Sequence, residues 1–143
     1  MANSGVFPCY ENQFQIKVSG TYQTIADCET FEVSLDNGVE EWTPFESEGW
    51  VRRLMTAKSV TITVSGKRNI GDTGNDFIAG LTFLNGRNSE ADFKWTFYDG
   101  TTAEFAGAVI SVTNNSGGDS TNVAPLEFEV MSNGKPTIGS ISS

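Results

Sequence analysis

Apolar and polar residues alternate with period two in four separate stretches of this chain, and that pattern constrains its fold more than any other feature. In Thr30–Asp36 the apolar Phe31, Val33 and Leu35 alternate with Glu32, Ser34 and Asp36. Val60, Ile62 and Val64 alternate with Thr61, Thr63 and Ser65. Phe93, Trp95 and Phe97 alternate with Lys94, Thr96 and Tyr98, and Leu126, Phe128 and Val130 alternate with Glu127, Glu129 and Met131. Successive strand side chains point to opposite faces, so each stretch predicts a strand with one buried and one wetted face. Gln13–Ser19 reads as a further strand with a turn near Gly20. Asn37-Gly38, Asp99-Gly100 and Asn133-Gly134 supply the positive φ angles of tight turns. Asp99-Gly100 lies between strand patterns over 92–98 and 102–113, which predicts a hairpin.

One segment has helical spacing instead. Phe77, Ile78, Leu81 and Leu84 fall on one helical face over residues 75–84. Asp72, Thr73 or Asn75 can cap its start and Asn85-Gly86 can end it. Gly80 inside such a helix costs about 1 kcal/mol relative to Ala, so packing must hold the helix. Two stretches read as long and irregular, 38–59 with a helical turn around 50–56, and 114–125. Loops of that length in a compact domain are usually functional or mobile. The first carries Trp42, Phe45, Trp50, Leu54 and Met55. So many large apolar groups need cover, either from the chain's own core or from a neighbouring subunit.

The length of 143 residues suits one domain, 1–143, with a sufficient core. Ten Phe and three Trp exclude a disordered chain despite the net charge of -9. Eighteen acidic against nine basic residues argue against gripping nucleic acid, because duplex binders gain affinity by replacing counterions with Lys and Arg. The opening MANSGVFPCYENQF has neither a basic start nor an apolar run, and no stretch approaches a membrane helix. A protein kept soluble in the cytoplasm is expected. Cys9 and Cys28 are read as free thiols acting as small apolar residues, with one bridge as the alternative.

Catalytic chemistry is scarce. The chain has no His, which removes Ser-His-Asp and Cys-His catalysis and the usual near-neutral base. It has no dinucleotide or phosphate-loop motif. Glu40, Glu41, Glu46 and Glu48 sit near Trp42 and Trp50, the residue types of a glycosidase, but closeness in sequence does not set the spacing across a sugar. Asp72–Asp76 and Gly118–Ser120 lack the ligand spacing of a calcium loop and serve as caps and turns. No catalytic residue, metal or cofactor is expected. Arg52, Arg53, Lys58, Lys67 and Arg68 suit an intersubunit ion pair with the acidic residues of 36–48 better than a nucleic-acid patch.

The runs Asp36–Pro44, Gly49–Thr56, Ser65–Asn69, Gly71–Phe77 and, above all, Gly117–Met131 resemble phage tail tube proteins of Gram-positive hosts. The resemblance covers about residues 13–138. It implies a mainly β fold, a β-sandwich or partial barrel flanked by one α-helix; a C-terminal tail from about 138 to 143, outside the resemblance, is expected as well. It implies hexameric rings whose sheets join into an inner β-barrel, stacked into a tube that conducts DNA without binding it specifically. The implied place is the virion tail, assembled in the host cytoplasm. The implied partners are other copies, the tape measure protein, the tail terminator and baseplate or distal tail proteins. Against that frame, Glu32, Ser34, Thr61, Thr63, Glu127 and Glu129 are candidates to line the lumen, the alternative being outer solvent. Trp42, Phe45, Trp50, Arg52, Arg53 and Asp119 are candidate contacts between subunits. The competing reading is a carbohydrate- or protein-binding β-sandwich using Trp42, Trp50 and Trp95, although Trp95 alternates like a core residue.

Overall fold

The computed structural model describes residues 6–139. Its strands are β1 (Gln13–Val18), β2 (Thr21–Thr24), β3 (Cys28–Trp42), β4 (Arg52–Lys67), β5 (Glu90–Thr96), β6 (Thr102–Asn115), β7 (Pro125–Met131) and β8 (Thr137–Gly139), with one helix, α1 (Thr73–Ala79). All the strands belong to one antiparallel sheet in the order β2-β1-β5-β6-β7-β4-β3, with β8 beside the start of β6. The sheet folds over on itself. Phe14 of β1 and Phe31 of β3, far apart in strand order, meet edge to face with ring centroids 4.8 Å apart. Between the two halves lie Ile16, Ile62, Val64, Phe93, Ile110, Phe128 and Val130, all essentially without solvent contact. Ile62, Val64, Phe93, Phe128 and Val130 are residues that the period-two pattern places inward, whereas Val33 and Leu35, expected on the buried face of the same pattern, are exposed on the edge strand β3.

Local chemistry explains the turns. Ser19 and Gly20 both adopt positive φ, forming the two-residue turn that joins β1 to β2. The β5–β6 hairpin turns at Asp99-Gly100, where the Asp99 carboxylate accepts the Thr101 N–H at 3.0 Å and is held below its ordinary pKa by that bond. Asp72 caps α1 by accepting the Asn75 N–H at 2.9 Å. Ile78 and Leu81 pack into the core, whereas Leu84 is exposed.

Several sequence expectations need correction. α1 ends at a Gly80 cap, so Gly80 terminates the helix and carries no interior penalty. Asn85-Gly86 opens a short 3-10 turn over Gly86–Ser89. Asn37-Gly38 is not a turn, since β3 runs through it with a register shift between Gly38 and Val39. Most important, 38–59 is not an irregular loop. β3 and β4 stay paired out to Trp42 and Arg52, and only 43–51 is non-strand, with a 3-10 turn at Phe45–Ser47. The expected helical turn at 50–56 is instead strand from Arg52 onward. Arg, Leu, Met and Ala have good helix propensity, but pairing with β3 overrides that weak preference. The tail expected from 138 begins later, because Ile138 and Gly139 pair with β6, and 140–143 lie outside the described residues.

Candidate assembly surfaces

Two surfaces gather the sequence candidates. The first is the outward face of β3, β4, β7 and β6. The register places Thr30, Ser65, Glu127 and Asn114 in one row across these strands. Glu32, Thr63, Glu129 and Ser111 form the next row, and Ser34, Thr61, Met131 and Val109 the third. All six lumen candidates therefore share one face, opposite the core residues Ile62, Val64, Phe128 and Val130. The three rows hold the carboxylates Glu32, Glu127 and Glu129 and no Lys or Arg. Thr30, Ser65, Ser111 and Asn114 extend the polar surface and sequence reasoning missed them as members of it, while Met131 and Val109 put two apolar side chains in the third row. The bulge between Val112 and Asn114 hides the alternation of β6.

The outward face of the other half of the sheet differs in charge. There Lys94 lies between Gln15 and Glu104, and Lys17 faces Tyr22. Lys17 also reaches Asp92 at 3.8 Å. Both lysine ammonium groups stand over the Tyr22 ring, at 5.5 and 4.7 Å from its centroid. Desolvation, followed by the charge of Glu104, pushes the Tyr22 hydroxyl up to about 12. Charge on this half is locally compensated, whereas the acids of the first half are not.

The second surface is the arm. Beyond the end of β7, which pairs as far as Thr61↔Met131, β3 and β4 continue as a two-stranded ribbon. Val39, Trp42, Phe45, Trp50, Leu54 and Met55 are all exposed on it, Phe45 fully and Trp50 by 80%. Docking on the chain's own core, one of the two sequence alternatives, is thereby excluded. Arg53 pairs with Glu41 at 2.9 Å across the arm, and Lys67 and Arg68 pair with Glu29 and Asp76, so these three cations are used within the chain. Arg52 makes no ion pair among the described residues. Asp119 lies exposed in the 116–124 connection at the opposite end of the sheet, where its carbonyl accepts the Asn122 N–H.

Trp95, read as core from its alternation, packs between Phe31 and Phe97 and donates its indole N–H to Asn12 at 3.0 Å. Both cysteines are free thiols. Cys28 donates to the Ile25 carbonyl at 3.6 Å, and burial, helped by Asp27 and Asp72, pushes its pKa from 9.0 to about 12. At neutral pH its thiolate fraction is far below that of an ordinary thiol. A maleimide reagent is therefore expected to label exposed Cys9 first and Cys28 only on unfolding, as intact-mass kinetics would show. The folded pKa lies above the unfolded one, so this contribution to stability is full below pH 9 and is lost as pH rises toward 12. Cys28→Ala should flatten the alkaline limb of a pH–stability profile.

Among the described residues no group of three or more His, Cys, Asp or Glu is placed to hold a metal, and no helix is long and apolar enough to cross a membrane.

No family model and no curated protein matches the sequence. Solved structures do match the fold. The tail of an empty gene transfer agent particle, determined with C6 symmetry, is 17% identical with a TM-score of 0.76, over 94% of this chain and 100% of that one. The virion of a native gene transfer agent particle is 20% identical with a TM-score of 0.73, over 94% and 100%. The sheath–tube complex of an extracellular contractile injection system is 15% identical with a TM-score of 0.65, over 96% and 94%. What the chain shares with these tail and tube structures, across nearly its whole length, is a fold: a predominantly antiparallel β domain with one flanking helix.

Proposed function

We propose that the protein is a non-enzymatic structural subunit of the tail tube of a phage or phage-tail-like particle. Copies form hexameric rings, and the rings stack into a hollow tube through which DNA passes on ejection. The observation that carries this reading is the outward face of β3–β4–β7–β6. Four strands present hydroxyls, amides and uncompensated carboxylates there, backed by a dry core, as expected of a sheet with water on one side and protein on the other. An acidic wall repels the phosphate backbone and makes no counterion-releasing contact, so DNA is kept centred and moving. β3 carries a ladder on one side only, and such an edge invites pairing with another copy. In this reading the protein resides in the virion tail after assembly in the host cytoplasm. It meets a tape measure protein inside, a terminator at one end and baseplate or distal tail proteins at the other. A chain in the sheath/tube terminator of an extracellular contractile injection system and one in a tube-terminating cap of an anti-feeding prophage share its fold and support such end contacts.

Negative-stain electron microscopy of concentrated protein tests the reading. Hollow tubes or six-membered rings are expected, and a monomer that is retained on a glycan column would favour the competing sugar-binding use of Trp42 and Trp50. The arm makes the contact between rings. Phe45→Ser with Trp50→Ser is expected to abolish tubes while leaving the melting temperature within a few degrees, because neither side chain packs on the core. Tubes of normal length from that variant would remove the arm from the assembly.

A further inference from the structure

The arm and one cavity of the body lie at opposite ends of the same strand. The cavity, about 520 Å³, opens beside the first residues of β3, with Phe14, Ile25 and Phe31 in its walls. Twelve residues separate Thr30 from Trp42 at the far end of β3, a span of about 40 Å along an extended strand. Among the described residues, the charged side chains lining the cavity are Asp27 and Glu29. Asp27 accepts a hydrogen bond from Asn69 and Glu29 shares Lys67, which leaves the rim net negative. At the other end stands the fully exposed Phe45, and beside the tip Arg52 makes no ion pair among the described residues.

We propose that this cavity is the receptor for the arm tip of a second copy, with Phe45 inserted against Phe14, Ile25 and Phe31 and Arg52 set on the Asp27–Glu29 rim. Glu46 and Glu48 are repelled by the same carboxylates, which turns the tip so that its Arg52 side faces the rim. Donor and receptor sit on opposite ends, so the contact is heterologous and propagates without closing. The inference rests on the tube reading and supplies the partner surface for its arm. A second cavity lies at the arm's own root, lined by Lys58, Val60, Lys135 and Ile138 among others. Its lysines suit Glu46 and Glu48, and a tip seated there is the alternative that cross-linking distinguishes.

Two half-disabled full-length chains separate these cases. The tip-disabled chain carries Phe45→Ser and Trp50→Ser. The receptor-disabled chain carries Glu29→Arg, an exposed change whose fold is verified by circular dichroism. Each chain alone should stop at monomers or single rings and fail to stack, with ring-to-ring association weakened about tenfold or more. Their mixture should restore the contact between one chain of each kind and build no longer stack, because one intact tip meets one intact cavity. A benzophenone side chain at position 45 of the otherwise natural chain should cross-link to residues 9–14 and 24–31 of another copy. Cross-links to 58–60 and 132–138, or none between copies, would overturn the proposal, as would wild-type tubes without complementation in the mixture. Complementation by chains whose wild type never forms tubes would keep the docking and sink the tube.

Discussion

Asn75→Ala is expected to destabilise the fold by about 3–5 kcal/mol, a large share of the 5–15 kcal/mol typical of a domain. Asn75 is 1% exposed and ties three segments together. Its amide donates to the carbonyls of Ala26 at 3.1 Å and Lys67 at 2.9 Å. Its oxygen accepts from the Asn69 N–H at 3.0 Å and from Arg68 at 2.9 Å. Truncation strands two carbonyls and a backbone N–H that water reaches poorly, and each such loss costs about 1–3 kcal/mol. Asp should rescue little, because a carboxylate would face the two carbonyls that the amide now serves. The site cannot relax, since Gly74 lies 2.6 Å from the Thr24 carbonyl at the position a Cβ would take, and Gly66 is packed equally hard against the Asp27 carbonyl. Urea denaturation of Asn75→Ala and Asn75→Asp beside the exposed change Glu46→Ala checks this. A loss under about 1 kcal/mol for the alanine variant would show that the junction is not a keystone of the fold.

Reversing charge on the polar face should have an equally large effect on transport and almost none on folding. Glu32→Lys, Glu127→Lys and Glu129→Lys together change the three rows from three negative charges to three positive ones. The positions are exposed or half-buried and make no ion pair among the described residues, so stability should change little. Tubes should form but retain duplex DNA, and tubes of the unmutated chain should not. Three phosphate contacts per subunit imply binding that weakens about 40-fold between 50 and 200 mM salt. Particles carrying the variant should eject their DNA slowly or incompletely. Unchanged ejection would mean that these carboxylates do not meet DNA.

Much of this was legible in the sequence where one physical signal dominated. Strict alternation in 60–65 and 126–131 places Ile62, Val64, Phe128 and Val130 in the core and their neighbours on a common polar face. The neighbour relations across strands were not legible. That Glu32, Thr63, Glu129 and Ser111 form one row depends on register, which the bulges at Gly38 and Val112 set. The arm was missed because its alternation is broken. After the bulge, Glu40, Trp42, Arg52 and Leu54 share one face and Val39, Glu41, Arg53 and Met55 the other, so neither face reads as buried or wetted. A strand whose cover comes from elsewhere loses the contrast that makes strands readable, which itself suits an element built for another copy. The internal pairing of Arg53 with Glu41 was likewise hidden until the register was known.

The most direct measurement of the central claim is a helical reconstruction of the assembled tube by cryo-electron microscopy. The account predicts six subunits per ring, with the carboxylates of Glu32, Glu127 and Glu129 projecting into the lumen and the Lys17–Tyr22–Lys94 cluster on the outer wall. A tube with that acidic face outside, or buried between subunits, would contradict it.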